Sequence, residues 1–355
     1  MIKKLDRHLI AHIVGSTLVV LFALMSIDLL GQIIAEVDDV GKQDFTFGHL
    51  MMYVFGILPM RITMFFPMAL LIGALMGLGK LAATSELTVM QVAGVSRLRI
   101  GVIGFFIALV LGSLVVVMTE YVGVPINEYV QQMRAEALRQ VSKNRGRAGI
   151  WAQDANHFVN IGGVNAKGEL ANIRLFIVDD EMKISRIQYA ATAVPDQGAW
   201  TLKNITSKTI LPTHIQVKKI KQKVWENQLD NSILDLLLAD PNDLSIRDLY
   251  RYIRYQEANE VRATTYALEF WQRLFIPLST GVMFLLALPF VFGSQRQTSQ
   301  GRKLFVGVLL GLMYYVSYTS IANIILLTGA PVVLGAIIPI ALFALVSFGL
   351  LALRG

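Results

Sequence analysis

The sequence predicts an α-helical membrane protein with six transmembrane helices and one inserted all-β, jellyroll-like domain outside the membrane. Of its 355 residues, 54% are hydrophobic and only 16% are charged, and the mean hydropathy is +0.55, whereas soluble domains carry about 25% charged residues. About fifty consecutive residues between Lys303 and Arg354 carry no formal charge, while residues 130–265 have the composition of a soluble domain. This contrast excludes a cytosolic globular protein, a disordered chain and, because there is no cysteine, a disulfide scaffold.

Uncharged runs of about 18 or more residues predict the membrane helices. Clear runs lie between residues 7 and 28, 99 and 120, and 273 and 296. The first lacks a small-x-small cleavage site and is interpreted as an uncleaved helix rather than a signal peptide. The long run after residue 303 is interrupted by Thr-Gly-Ala-Pro at 328–331, which is a turn signal, so it predicts two spans.

The run at 45–79 is ambiguous because Arg61, Pro59 and Pro67 interrupt it. Lys and Arg concentrate in cytoplasmic loops, so their distribution decides between one helix and two. The N-terminus, the 80–99 segment and the 294–303 loop are basic, whereas the 36–44 loop has Lys42 among four acidic residues. If the first two are both cytoplasmic, 45–79 is one helix, the chain has six spans with both termini in the cytoplasm, and 130–265 lies on the other side.

Residues 150–225 contain short stretches of alternating polarity, which predict the antiparallel strands of a sandwich or jelly roll. The stretches are 157–161, 173–178, 184–192, 200–210 and 214–224. Ser245, followed three residues later by Asp248, predicts the start of a connecting helix. The predicted domains are 1–129 with spans one to three, 130–265 with the β domain, and 266–355 with spans four to six.

Charged residues inside spans are costly and therefore informative. Asp28, Glu120, Glu269 and Arg273 fall near predicted span ends, where snorkelling to the interface explains them. Arg61 lies within span two, where it would suit a cavity that holds an anionic headgroup.

The sequence has no phosphate-binding loop, zinc-protease helix or nucleophile elbow, so no catalytic activity is expected. His8 and His12 lie one helical turn apart and have the spacing to share a metal. At the start of span one we expect them to be polar residues of the membrane interface, and we expect no metal site. Four lysines at 218–223 suit either an anionic ligand or a solvated strand edge that blocks aggregation.

A short amphipathic helix is predicted at about 84–94, within the basic 80–99 segment. Its signals are a cap at Thr84 and Ser85, an acidic first turn at Glu86, apolar Leu87 and Met90 at helical spacing, and a stop at Gly94. The helix either lies on the lipid surface or is a coupling helix that docks into a groove of a cytosolic partner. In the second case Glu86 would meet a basic residue of that partner.

Several motifs resemble the LptF/LptG (YjgP/YjgQ) permease family. The most specific are FFPMALLIGALMGLG at 65–79, SELTVMQ at 85–91 and GVSR at 94–97. Agreement continues at 149–152, 189–193, 244–246 and 290–293, so the likeness runs essentially from end to end. It is greater to the LptG branch than to the LptF branch, and the family has the six-span topology with an inserted β domain.

The resemblance implies a transport subunit, without a cofactor or enzymatic activity of its own, that extracts lipopolysaccharide from the bacterial inner membrane. The lipid would pass to a periplasmic bridge towards the outer membrane. The implied partners are an LptF-like paralogue, two copies of an LptB-like ATPase, and LptC-like and LptA-like bridge proteins, with no nucleic acid. The β domain would be periplasmic and both termini cytoplasmic.

The resemblance also implies which residues contact the lipid headgroup. Arg134 matches one headgroup-contacting arginine, and a second falls at Gln131, which departs from the family. Lys42 is what remains of a basic cluster after span one that acidic residues otherwise replace. Arg61 lies one residue from a lysine of span two, and Arg302 lies near an arginine at the start of span five.

Glu86 matches the family's coupling-helix glutamate that contacts the ATPase, and Leu87 and Met90 accompany it. Two other classes of protein stay open, namely a self-contained secondary transporter and a membrane scaffold whose β domain binds a partner. Internal repeats and polar broken helices, which secondary transporters often have, are not found in the sequence. Glu86→Ala distinguishes the readings, because only a coupling helix would lose an associated ATPase while the chain still inserts.

Overall fold

The computed structural model describes residues 4–138, 150–154, 157–164, 169–179, 183–196, 199–211, 214–225, 240–258, 263–292 and 300–354. Part of the predicted 294–303 loop lies outside these residues. The chain divides into two compact units. One is helical and comprises Met1–Asp38, Met51–Asn127 and Thr264–Gly355, and the other comprises Asp39–Leu50 and Glu128–Ala263.

The described residues form ten α-helices, and the predicted uncharged runs overlap the long apolar ones. They are α1 (Lys4–Glu36), α2 (Phe47–Ala83), α3 (Glu86–Val92), α4 (Arg97–Met118), α5 (Val124–Ala137), α6 (Ile246–Ala258), α7 (Thr264–Leu274), α8 (Ile276–Phe292), α9 (Gln300–Thr328) and α10 (Val333–Arg354). A π-helical turn, Thr119–Gly123, joins α4 to α5. Because α2 is one helix of 37 residues with two prolines inside it, the prediction of a single helix at 45–79 is confirmed. The predicted break at 328–331 separates α9 from α10.

Five of the described helices are long and apolar enough to cross a membrane, and the count is six if α7 and α8, which meet at a bend of 52°, form one broken span. α8 has 17 residues, fewer than the roughly 20 that a bilayer requires, so α7 is needed to complete the fourth span. Arg273 in α7 was expected to snorkel. It is buried instead, and its Nε donates to Glu269 Oε1 at 2.8 Å.

Two glycines of α2 let α1 approach at backbone distance. A Cβ built on Gly73 would lie 2.5 Å from the Thr17 Cα, and one built on Gly77 would lie 2.7 Å from the His12 carbonyl oxygen. As residue numbers rise in α2 they fall in α1, so the two helices run antiparallel. This is the close packing that small residues four apart permit in membrane helices.

The described strands form one antiparallel sheet in which each strand pairs with the next along the chain. They are β1 (Ile150–Asp154), β2 (His157–Val164), β3 (Leu170–Val178), β4 (Ile184–Asp196), β5 (Ala199–Ile210) and β6 (Ile215–Trp225). Five of these confirm the predicted stretches, and β1 was not predicted. A Greek-key arrangement pairs strands that are not consecutive, whereas the described strands form a meander because short connections join neighbours.

Two asparagines interrupt the regular alternation of buried and exposed residues along the strands of the sheet. Asn172 in β3 and Asn204 in β5 have φ of +55° and +54°, a conformation that asparagine tolerates better than most residues. The residue pairs that flank Asn172 and Asn204 in the sheet place both asparagines opposite residue 191 of β4. Leu202 and Ile205 of β5 are both buried although they are three residues apart, so the alternation of a regular strand is reset between them.

Candidate functional site

A cluster of three charged residues in the second unit brings together two of the predicted headgroup residues. Lys42 Nζ donates to Asp39 Oδ1 at 2.8 Å, and Arg134 Nη2 donates to Asp39 Oδ2 at 2.9 Å. Two cations therefore share one carboxylate. Lys42 is largely exposed, so an anion in solution can reach it. The sequence predicted the two cations but not Asp39 as the residue between them.

The loop that follows α1 is held against the end of α5 by backbone hydrogen bonds. Asp44 N–H donates to the carbonyl oxygen of Ala137 at 3.0 Å, and Phe45 N–H donates to that of Lys42 at 3.0 Å. The Phe45 side chain is buried and anchors the loop. Since Arg134 lies in the last turn of α5, these contacts place the Lys42 loop beside it.

Arg61, in the helical unit, faces an acidic partner on the neighbouring helix. Its Nε lies 3.8 Å from Asp28 Oδ2, and the side chains are 33% and 11% exposed respectively. The distance is too long for a hydrogen bond, and within the described residues Asp28 Oδ2 has no hydrogen-bond partner. Arg61 therefore has a counter-ion within the chain, and Asp28, which was expected to snorkel, points at it instead.

Glu86 begins α3 and is held by two neighbours. The Thr84 hydroxyl donates to Glu86 Oε1 at 2.7 Å, and His8 Nε2 lies 2.8 Å from Glu86 Oε2. The Thr84 hydroxyl and then the His8 imidazole lower the pKa of the Glu86 carboxyl below its usual value, since both stabilise the anion. The predicted side-chain cap is wrong, because Ser85 has φ of +60° and makes no capping hydrogen bond.

The two apolar residues that accompany Glu86 in the predicted coupling helix are buried within this chain. Leu87 and Met90 are 0% and 5% exposed and belong to the core that also includes residues of α1, α2, α4 and α8. The opposite face of α3 carries Val89 and Val92, which are 66% and 86% exposed. Leu87 and Met90, which accompany Glu86 in the predicted coupling helix, therefore lie in the core and not at the surface. They anchor α3, while the accessible surface beside Glu86 consists of the two valines.

Arg302 lies far from Arg61 in the helical unit. It is exposed at the start of α9, and a Cβ on Gly307 of that helix would lie 2.8 Å from Leu75 Cδ1. A second glycine, Gly311, lies one turn later in α9 and faces Met68, about two turns before Leu75 in α2, so the helices run antiparallel. Continuing this register puts Arg302 at the C-terminal end of α2, about 25 Å along the helix axis from Arg61 at about 1.5 Å per residue. Arg302 thus shares an end of the unit with Glu86.

The apolar helices and the inserted antiparallel sheet define a multi-pass membrane protein with one extramembrane β domain. The family model for the lipopolysaccharide export system permease LptF/LptG matches residues 7–353. The chain belongs to this family.

Relatives with the LptG name cover the chain almost completely. The chain is 32% identical over 355 residues to the lipopolysaccharide export system permease protein LptG of Haemophilus influenzae, and the match covers 99% of each chain. It is 31% identical over 350 residues to LptG of Escherichia coli K12, which covers 98% of this chain and 97% of the relative. These similarities confirm the predicted family and its LptG branch.

Proposed function

We propose that this chain is the LptG-type permease subunit of a lipopolysaccharide export system in a bacterial inner membrane. The observation that carries the proposal is the family match across residues 7–353 together with LptG relatives of nearly equal length. The six possible spans and the inserted β sheet agree with a permease that reaches out of the membrane. The chain would pair with an LptF-like paralogue and pass the lipid to LptC-like and LptA-like bridge proteins.

The orientation that we propose has both termini in the cytoplasm and the β domain in the periplasm. Antiparallel packing brings the start of α1, the end of α2 and the start of α9 to one end of the helical unit. Basic residues of that end are Arg7, Lys80, Arg99 and Arg302, and cytoplasmic loops are enriched in such residues. This argument supports the proposed orientation independently of the relatives.

Within the proposed function, Lys42 and Arg134 bind phosphate groups of the lipid headgroup. Guanidinium and ammonium groups suit phosphate oxygens, and the Asp39 contacts keep the two cations close together before any lipid arrives. Arg61 would contribute separately, from the helical unit, where an anion competes with Asp28. Arg302 would not join Arg61, because about 25 Å along the helix axis separates them at about 1.5 Å per residue, and at its own end it would contribute to cytoplasmic orientation.

The energy for export would come from a separate ATPase that contacts α3. Glu86 and the exposed Val89 and Val92 form the surface that we assign to this contact. Leu87 and Met90 would transmit its movement, because they fix α3 to the core of the helical unit.

Photocrosslinking to lipopolysaccharide tests the role of the charged cluster. A photoreactive amino acid at Val40, next to Asp39, is compared in the wild-type chain and in the Lys42→Gln and Arg134→Gln variants. We expect both substitutions to reduce the crosslinked lipid, since each removes a cation from the cluster. Asp39→Asn should increase it up to about fivefold at low salt, because a negative charge about 4 Å from an anion costs about 1 kcal/mol in water.

The matched control is Arg254→Gln, which removes an exposed arginine that pairs with Glu257 on α6. We expect this variant to crosslink as the wild type does. Unchanged crosslinking in Lys42→Gln and Arg134→Gln would exclude the cluster from headgroup binding. An equal loss in Arg254→Gln would show that only the total charge matters and would also contradict the assignment.

A further inference from the structure

Two histidines of α1 and the first residue of α3 converge at one end of the helical unit. His8 and His12 are one turn apart on the same face of α1, and their rings meet edge to face with centroids 4.6 Å apart. Glu86 approaches from α3, 78 residues later in the chain, with its Oε2 2.8 Å from His8 Nε2. One ligand atom from each of the three residues lies within 4.8 Å of the others.

These donors have the chemistry of a transition-metal site. Imidazole nitrogen and carboxylate oxygen bind Zn²⁺ at about 2.0–2.2 Å, and two histidines with one glutamate are a known ligand set for this ion. Around such an ion, tetrahedral ligand atoms are separated by about 3.4 Å, so shifts of about 1 Å in these side chains bring all three into place. Ca²⁺ and Mg²⁺ prefer oxygen ligands, and the two imidazoles disfavour them.

The backbones that carry the ligands are fixed before any ion binds. α1 is held at His12, whose carbonyl oxygen lies against Gly77 of α2. α3 is held by Leu87, which is fully buried next to Glu86. The Thr84 hydroxyl donates to Glu86 Oε1, which leaves Oε2 directed towards the histidines.

The site is accessible from water, because the side chains of His8 and Glu86 are each a little under half exposed. On the same helix as the two histidines, Asp6 accepts from Arg99 Nη2 at 3.2 and 2.9 Å through its two carboxylate oxygens.

We propose that His8, His12 and Glu86 bind one first-row transition-metal ion of the Zn²⁺ class and so tie the start of α1 to the start of α3. Three protein ligands leave the fourth position of a tetrahedral ion open to water or to a group of another molecule. The proposal concerns the isolated chain and does not depend on the proposed transport function. Where that function also holds, the bound ion occupies Glu86 and competes with the ATPase for it.

The test uses the full-length chain in detergent, with any polyhistidine tag removed, because a tag would itself bind metal. Zn²⁺ binding is measured by titration calorimetry, and Co²⁺ serves as the spectroscopic probe because its visible absorption reports the ligand geometry. His12→Asn is the decisive variant, since it removes one ligand and spares Glu86. His49→Asn is the matched control, because His49 lies at the start of α2 and contacts Thr46.

We expect one Zn²⁺ per chain in the wild type and in His49→Asn. In His12→Asn we expect the Zn²⁺ affinity to fall by at least about 100-fold, because even the loss of a residue that only hydrogen-bonds to a metal ligand lowers the affinity by about 10–100-fold. His8→Asn and Glu86→Gln should show the same loss. Mg²⁺ at millimolar concentration should not displace Zn²⁺. Equal Zn²⁺ affinity in the wild type and His12→Asn would overturn the proposal, as would the absence of binding to the wild type.

Co-purification with an ATPase in metal-free buffer separates this proposal from the proposed function. His12→Asn should keep the ATPase and lose the metal. A chain that binds Zn²⁺ through His12 but recovers no ATPase supports the metal site and counts against the coupling role. A chain that recovers the ATPase and binds Zn²⁺ equally well without His12 overturns the metal site alone.

Discussion

Gly73→Ala is expected to separate α1 from α2, and its cost can be worked out from the distances. The added methyl carbon would lie 2.5 Å from the Thr17 Cα and 2.5 Å from its Oγ1, whereas carbon atoms in contact prefer about 3.5–4.0 Å. The gap must therefore widen by about 1 Å or more. Thr17 is a helical residue whose backbone cannot move alone, so the relief requires displacement of a whole helix.

The expected cost of this displacement is about 3 kcal/mol, the upper end of the range for overpacked cores. Gly15→Ala in α1 is the matched control, because among the described residues no atom of another helix lies within 4 Å of the added carbon there. A helical alanine is about 0.5–1 kcal/mol more favourable than glycine, and because both variants gain this amount, they should differ by the overpacking cost of about 3 kcal/mol. For units of about 200 residues this corresponds to a difference in thermal midpoint of about 6–12 °C.

Because the sequence has no cysteine, a single introduced thiol can report the unfolding of the helical unit. Ser347 is fully buried in α10, so Ser347→Cys introduces one nearly isosteric buried thiol that a fluorogenic maleimide reaches only when the helical unit opens. The midpoint of labelling on heating is then measured in this background for both glycine variants. Equal midpoints for Gly73→Ala and Gly15→Ala would refute the backbone contact between α1 and α2.

Two further pairs of substitutions test α3 and the sheet. Val92→Asp should leave the thermal midpoint nearly unchanged but abolish co-purification with an ATPase. Leu87→Ala should lower the free energy of unfolding by about 2–5 kcal/mol, because it opens a cavity in the core. The reverse pattern would show that the two faces of α3 are assigned incorrectly. Asn204→Gly should have the same thermal midpoint as the wild type, measured by tryptophan fluorescence of the β unit. Asn204→Val should lower the free energy of unfolding by about 1–2 kcal/mol, because a β-branched residue is strained at φ of +54°. Equal midpoints for the two variants would contradict the left-handed conformation.

Features encoded by neighbouring residues were predictable from the sequence. The uncharged runs located the spans, and the turn signal at 328–331 separated α9 from α10. The helix start at Ser245 was also correct, since its Oγ accepts from Asp248 N–H at 3.0 Å and donates to the Asp248 carboxylate at 2.6 Å. Each of these features depends on residues only a few positions apart, so local propensity and hydrophobic pattern suffice to find it.

Features that join distant residues could not be predicted in the same way. Asp39 lies 95 residues before Arg134, and His8 lies 78 residues before Glu86. A single sequence contains no periodicity that links such positions. The glycines at 73 and 77 indicated that some helix would approach closely, but not that α1 would do so and bring its histidines to α3.

The face that α3 buries determines how this helix can act in the proposed coupling. A helix attached only by its ends would rotate or slide when a partner pushed on it, and its movement would be lost in the two connecting loops. α3 is attached along its length, because Leu87 and Met90 belong to the same core as residues of α2, α4 and α8. Closely packed interiors transmit displacement with little compression. A force applied at Val89 and Val92 would therefore move the ends of the packed helices, and the contact of Glu86 with His8 is a second link from α3 to α1.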